Sequence, residues 1–235
     1  MCGIGGIYNC TGAKTPITPT MTLWSDLSAR GRHAAGMAVA TKKGVSVIKA
    51  PQSSQALSIS KRDLIPKTGV RSILLHTRYA TKGDIEANGN NHPINEHDIV
   101  MTHNGVLYND DEVFDTLNVH RFNQVDSEAI NAALRYGGTS FVADEIKGSM
   151  SIAWIDVHKI DTVNLFTNGG NPLVIARTEG GNIVWASGLD YIEDAGFKVE
   201  SHFHAVPFKV YTLSPSGTIE SEYVSDQRRV ADTGN

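Results

Sequence analysis

Met1-Cys2-Gly3-Ile4-Gly5-Gly6-Ile7-Tyr8 opens the chain, and its reading decides the rest. Removal of Met1, which a small second residue favours, leaves Cys2 with a thiol and a free α-amine on one residue. In model compounds the amine titrates at ~7.7–8.0 and the thiol at ~8.5, so one group can take the proton that the other must lose. A base within reach of its nucleophile is the minimum apparatus of covalent catalysis. Gly3, Gly5 and Gly6 let backbone or substrate approach closely, and Ile4, Ile7 and Tyr8 suit a strand that holds the terminus in place. A Met-Cys start alone is most often an accident, so residues further along the chain have to carry the reading.

The composition sets wide bounds. With 235 residues, 40% hydrophobic and 20% charged, the chain has the makeup of an ordinary soluble globular protein. A net charge of −4 gives no nucleic-acid footprint. No apolar run approaches the ~18 residues of a membrane span, and no basic-then-apolar leader opens the chain. Two cysteines do not make a disulfide framework. Cytoplasmic residence is the default expectation. Residues 1–235 are expected to form a single domain, with the last ten or so a frayed polar tail.

Periodicity predicts helices at about 19–29, 110–117, 126–136, 141–147 and 189–195. Strands are expected at 34–41 and 45–50 around Lys42-Lys43-Gly44, then at 72–76, 99–103 and 106–108. From Gly148 onward strands dominate, at 150–157, 162–167, 173–177, 183–186, 206–213 and 218–224. A polar connector, expected to be partly helical, spans 51–68. The Asn- and Gly-rich stretch 84–97 has no helical period, and a loop of that length tends to be functional.

Three further clusters carry candidate chemistry. Arg78 follows a core strand, where its bidentate fork could grip a carboxylate; a surface ion pair is the commoner role. Asn104-Gly105 could present a side-chain and a backbone N–H to one oxyanion, yet Asn-Gly between apolar runs is also the strongest hairpin signal. Asp126 could hold a substrate ammonium or cap the helix that Glu128 begins and Gly137-Gly138 ends.

Taken in order, Met1-Cys2-Gly3-Ile4, Arg30-Gly31 with Ala35-Gly36, His76-Thr77-Arg78-Tyr79-Ala80-Thr81, Asn91-His92-Pro93, His103-Asn104-Gly105 and Asp126-Ser127-Glu128 resemble the motifs of class II glutamine amidotransferases, which are N-terminal nucleophile (Ntn) hydrolases. Gly170-Asn171-Pro172-Leu173 resembles the family's Gly-x-Pro-Leu. The resemblance implies an α+β fold, a four-layer αββα sandwich of two antiparallel sheets. It implies that Cys2 is the nucleophile with its own α-amine as base, that Asn104 and Gly105 form the oxyanion hole, that Arg78 clamps the glutamine α-carboxylate, and that Asp126 meets its α-ammonium. Thr81 and His92 match positions near the glutamine pocket. Tyr79 resembles the phosphoribosyl-amidating branch, whereas His92-Pro93 leans toward the sugar-phosphate-aminating one. No metal or cofactor is implied. Relatives pass the ammonia to a synthase domain, so a synthase supplied in trans is the expected partner.

There is one departure. The family's Arg-Gly-x-Asp is here Arg30-Gly31-Arg32-His33, which replaces a carboxylate by a group that is neutral or cationic near pH 7. Three other readings stand beside the amidotransferase one. A metal hydrolase would use the crowded His76, His92, His97 and His103, although no His-Glu-x-x-His helix is present. A non-catalytic glutamine sensor would keep the fold but need no nucleophile. An independent Ntn amidohydrolase would act on another amide.

Overall fold

In the computed structural model, which describes residues 1–12 and 14–224, the opening stretch is a strand, β1 (Gly3–Tyr8), buried along its whole length. A central strand must be apolar on both faces, and here the two faces serve different cores. Ile7 packs with the helical side, and Ile4 and Tyr8 pack toward a second sheet. The same two-residue alternation runs through β2 (Ala34–Thr41) and β4 (Val70–Arg78). Ala35, Met37, Val39, Ile73 and Leu75 face helices, whereas Ala38, Ala40 and Leu74 face the other sheet.

The first sheet has seven strands in the order β10-β8-β9-β1-β4-β2-β3, completed by β3 (Gly44–Ala50), β8 (Val174–Thr178), β9 (Ile183–Ala186) and β10 (Val199–His204). The second has five, β12-β11-β7-β6-β5: β5 (Ile99–Leu107), β6 (Gly148–Asp156), β7 (Val163–Thr167), β11 (Lys209–Leu213) and β12 (Ile219–Tyr223). Every strand pairing is antiparallel. Val100, Ala153, Ile155, Val163 and Leu165 meet the first sheet, and Met101, Ile152, Trp154 and Phe166 meet helices on the far side. Helices α1 (Ile17–Asp26), α2 (Ser54–Ser60) and α6 (Leu189–Asp194) cover the seven-stranded sheet. Helices α3 (Asp110–Leu117), α4 (Glu128–Ala132) and α5 (Gly138–Glu145) cover the five-stranded one. The result is the expected four-layer αββα sandwich.

Several local expectations are corrected. Asn104-Gly105 makes no hairpin turn: β5 runs straight through it to Leu107, paired residue for residue with β6. Gly105 sits at φ 157°, and a Cβ there would lie 1.8 Å from the Ser149 carbonyl oxygen, so close strand approach demands glycine. The predicted 126–136 helix is a short α4 that passes into a π-turn, Ala133–Gly137, and α5 begins at Gly138 where a stop was expected. The helix at 19–29 starts two residues earlier and ends as a 3₁₀ turn, Leu27–Ala29. The polar connector is partly helical as expected: α2 forms there, with Ser53 Oγ accepting the Ala56 N–H. Strand β10 was not foreseen, and the predicted strand at 206–213 begins only at Lys209. The frayed tail lies outside the described residues.

Candidate active site

The site grows from the end of β1. Its neighbour β4 runs antiparallel with Gly3 opposite Thr77, which sets Cys2 beside the last residue of β4, Arg78, and the loop after it. The strand end is tied down on its other side by Ser187, whose Oγ accepts the Ile4 N–H (3.0 Å) and whose own N–H donates to the Ile4 carbonyl (3.0 Å). Arg30 Nε donates to the Cys2 carbonyl at 2.8 Å. Arg30 thus holds the Cys2 backbone directly, β4 and Ser187 hold the two residues after it, and the sulfur is left to the loop.

That sulfur sits against one residue. The Tyr79 N–H points at Cys2 Sγ (3.4 Å), and the thiol in turn faces the Tyr79 carbonyl (3.6 Å). Burial pushes the thiol pKa above its usual value, with Asp126 adding to the rise. The Tyr79 backbone, the chain's terminal amine and Arg78 pull the other way without overcoming it. A thiol in this state keeps its proton at neutral pH and needs a base to become a nucleophile.

Arg78 is buried, and its fork is engaged. One terminal nitrogen donates to Asn91 Oδ1 (2.7 Å), and the other donates to the carbonyls of Lys82 and Gly83. The guanidinium thus organises the 79–83 loop from beneath. Its pKa is lowered by burial, against the support of Cys2, Asp126 and Asp84. Lys82 reaches Asp110, which also accepts from Arg121 at 2.7 Å, so the loop is latched to α3 as well. Tyr79 and Thr81 are both exposed on this loop.

The second sheet brings the remaining candidates. Asn104 is buried, and its Nδ2 has no hydrogen-bond partner. An orphaned buried donor costs ~1–3 kcal/mol, and such groups concentrate where function needs them. Asp126 is not a side-chain cap. Its Oδ2 accepts the Leu107 N–H at 2.7 Å, which docks the start of α4 on the end of β5, and the helix's N-cap, Ser127, makes no capping bond. The charges of Asp126 and Arg78 both act on the Cys2 thiol. The structure thus gathers Cys2, Arg78, Tyr79 and Asp126 around the end of β1, with Asn104 and Gly105 on the facing β5.

His92 sits apart, buried under the site. Its ring stacks on His76 (centroids 4.1 Å apart), lies 6.4 Å from the His103 ring, and has neither nitrogen paired. His76 Nε2 lies 2.9 Å from the His103 carbonyl and so joins the two sheets; His103 Nδ1 lies 2.8 Å from Ser127 Oγ. Burial drives all three pKa values down, that of His76 to about 3, so the trio is neutral. The fourth histidine of the metal-hydrolase reading, His97, lies elsewhere, against Glu128 (3.3 Å) and the rings of Phe122 and Tyr136. Among the described residues no group of three or more His, Cys, Asp or Glu is arranged to hold a metal ion.

Three supporting contacts could not be read from the sequence, although His33 and Asn91 stand out in it. Asn91 anchors Arg78, and Asn90 Oδ1 accepts the N–H groups of Gln124 (2.8 Å) and Val125 (3.1 Å), which fixes the approach to Asp126. Both belong to the Asn-Gly-Asn-Asn run, a signal of dense side-chain-to-backbone bonding. The third is His33, whose Nδ1 accepts the Ala80 N–H at 3.0 Å.

Two face-to-face antiparallel sheets between helical layers, with a cysteine at the start of a central strand, define an Ntn-hydrolase-type α+β sandwich. Within that class, the chain belongs to the glutamine amidotransferase domain family, class II, whose model matches residues 76–194. A glutamine–fructose-6-phosphate aminotransferase (isomerizing) of Halalkalibacterium halodurans is 28% identical over 214 residues, which cover 82% of this chain and 33% of that protein. The enzyme of the same name from Salmonella typhimurium is 30% identical over 174 residues, covering 67% of this chain and 27% of its own length. The chain thus spans about a third of these relatives. Among solved structures, the glutamine phosphoribosylpyrophosphate amidotransferase from B. subtilis superposes with a TM-score of 0.77 at 19% identity, covering 96% of this chain and 50% of that one. A glutamine aminotransferase class-II domain protein from Silicibacter pomeroyi gives 0.53 at 11%, covering 95% and 99%. At these identities the structural likeness speaks for the fold. No helix of the described residues is long and apolar enough to cross a membrane.

Proposed function

We propose that this chain hydrolyses glutamine to glutamate and ammonia through a γ-glutamyl thioester on Cys2. The observation that carries this reading is the placement of the Cys2 sulfur. It lies at the anchored end of β1, bracketed by the Tyr79 peptide groups, with Arg78 and Asp126 close enough for their charges to act on it.

Each group has its own part in the chemistry. While Met1 is attached, the Cys2 nitrogen is an amide and cannot serve as a base. Met1 is 72% exposed, open to removal by an aminopeptidase. The freed α-amine takes the thiol proton, directly or through one water, and the sulfur attacks the side-chain amide carbon of glutamine. The developing oxyanion takes the unpartnered Asn104 Nδ2–H and the Gly105 N–H. The amine returns the proton to the leaving nitrogen, ammonia departs, and water cleaves the thioester. Arg78 receives the substrate α-carboxylate and Asp126 its α-ammonium. Tyr79 and Thr81 form the outer wall, and His92 lies behind the site as a neutral ring stacked on His76.

Residues 1–235 act in this proposal as one glutaminase domain working on cytoplasmic glutamine, with the ammonia delivered to an acceptor-binding synthase in trans. The names of the relatives, aminotransferases and amidotransferases, support the delivery of ammonia to an acceptor. The test is glutamate and ammonia release by the purified chain, alone and with candidate synthases. Slow basal turnover that a synthase with its acceptor accelerates is expected. Full-speed turnover unmoved by every partner would make the chain an independent amidohydrolase, and no turnover under any condition would leave a sensor.

A further inference from the structure

One peptide group lies between the nucleophile and a histidine. The Tyr79–Ala80 peptide shows its carbonyl to the Cys2 thiol (3.6 Å) and its N–H to His33 Nδ1 (3.0 Å). A peptide unit is planar, so whatever fixes the N–H also fixes the direction of the carbonyl. His33 holds the segment twice more: its own N–H donates to the Arg78 carbonyl (3.0 Å), and its ring lies 4.8 Å from the Tyr79 ring, tilted by 31°. We propose that His33 is a positioning residue for the reaction: its neutral ring, accepting the Ala80 N–H, sets the peptide that orients the Cys2 sulfur, and its protonation releases that peptide.

The reason lies in the inventory of an imidazole. Nδ1 accepts only while it keeps its lone pair, which puts the ring proton on Nε2. A cationic ring carries N–H at both nitrogens, and an N–H facing the Ala80 N–H repels it. The contact therefore exists only with the neutral ring, and a proton on Nδ1 removes it. The charged and titratable groups beside it are Arg30 and Arg32 on its own segment, Arg78, whose carbonyl it holds, Tyr79, whose ring it meets, and the Cys2 thiol beyond the peptide. A carboxylate at position 33 would accept the same N–H through an oxygen that carries no proton. The exchange for histidine therefore ties the loop over the nucleophile to the charge state of one ring. The kinetic part of this inference rests on the glutaminase reading; the structural part does not.

The test tracks the Ala80 amide of the isotope-labelled full chain by NMR between pH 5.5 and 8, beside the His33 ring carbons. The two are expected to inflect together, and Cys2→Ala should leave the inflection in place, which excludes the thiol as its source. His33→Asn, whose Oδ1 can take the N–H without titrating, should flatten the Ala80 curve. In glutaminase assays at pH 7.5, His33→Ala should lose roughly tenfold in kcat/KM, and His33→Asn or His33→Asp should recover most of it. An Ala80 amide that does not move, or that inflects identically in His33→Asn, overturns the proposal. So do equal kinetics for the Ala and Asn variants. An inactive chain whose Ala80 still titrates with His33 would sink the glutaminase reading while bearing out the contact.

Discussion

Replacing Asn104 by Ala separates catalysis from stability, because its Nδ2 is buried and donates to nothing. A buried Asn that donates within the fold loses that bond on truncation and costs about 1–3 kcal/mol. Here there is no bond from Nδ2 to lose, and removing an unsatisfied donor lifts a desolvation penalty of similar size. Lost packing and relieved desolvation should nearly cancel, leaving unfolding free energy within about 1 kcal/mol of the parent. In the transition state the same donor meets a full oxyanion, so kcat should fall by roughly 10²–10³, or about 2.7–4 kcal/mol of barrier, with little change in KM. Asn104→Asp keeps the shape but exchanges donor for acceptor, and it should be at least as inactive. The assay pairs urea unfolding with steady-state glutaminase kinetics on the same preparation. A loss confined to KM would make Asn104 a binding residue. Destabilisation beyond about 3 kcal/mol would show that its amide is already used inside the fold.

Arg78→Lys keeps the charge but cannot reach Asn91 and the two loop carbonyls together, so KM for glutamine should rise far more than kcat falls; an unchanged KM would remove Arg78 from the substrate grip. Gly105→Ala drives a Cβ to 1.8 Å from the Ser149 carbonyl at a φ that L-residues avoid, so it should destabilise by more than the usual ~1–3 kcal/mol of overpacking, read as a lowered Tm. The chain should also weaken in mild acid. Folded His76 titrates at about 3 because burial penalises its cation, against ~6.5 unfolded, so the unfolded state binds the proton first. Stability is then complete above ~6.5 and declines as pH falls toward 3, by on the order of 2 kcal/mol between pH 7 and 5 for His76 alone. His92 and His103 shift in the same direction. Equal urea midpoints at pH 7 and 5 would contradict a neutral buried trio.

Elements with a clean period were legible in the sequence. β1 to β4 and α3 were expected close to where they lie, since each buries an alternating or helical apolar set. The Asn-Gly pair misled because the hairpin signal is local, whereas nine residues of β5 pair continuously with β6. β10 escaped because a largely exposed edge strand, Val-Glu-Ser-His-Phe-His, carries no core face to read. Asp126 resembled a cap by its position, but a tertiary partner, the Leu107 N–H, claimed its carboxylate. The site shows the same division. Cys2, Arg78, Asn104, Gly105 and Asp126 stood out by type and motif, while Asn90 and His33 act through backbone groups, and Asn91 through the Arg78 guanidinium, that only the folded loop presents to them.

Cys2, freed of Met1, is proposed to carry the glutamyl group, and every other role assigned in the site depends on it. Intact-mass spectrometry of protein acid-quenched during turnover with glutamine tests this most directly. The expected result is a mature chain beginning at Cys2, and on it a γ-glutamyl adduct that maps to Cys2, disappears on hydroxylamine treatment and never forms on Cys2→Ala. Active protein that retains Met1, or turnover that persists in Cys2→Ala, would contradict it.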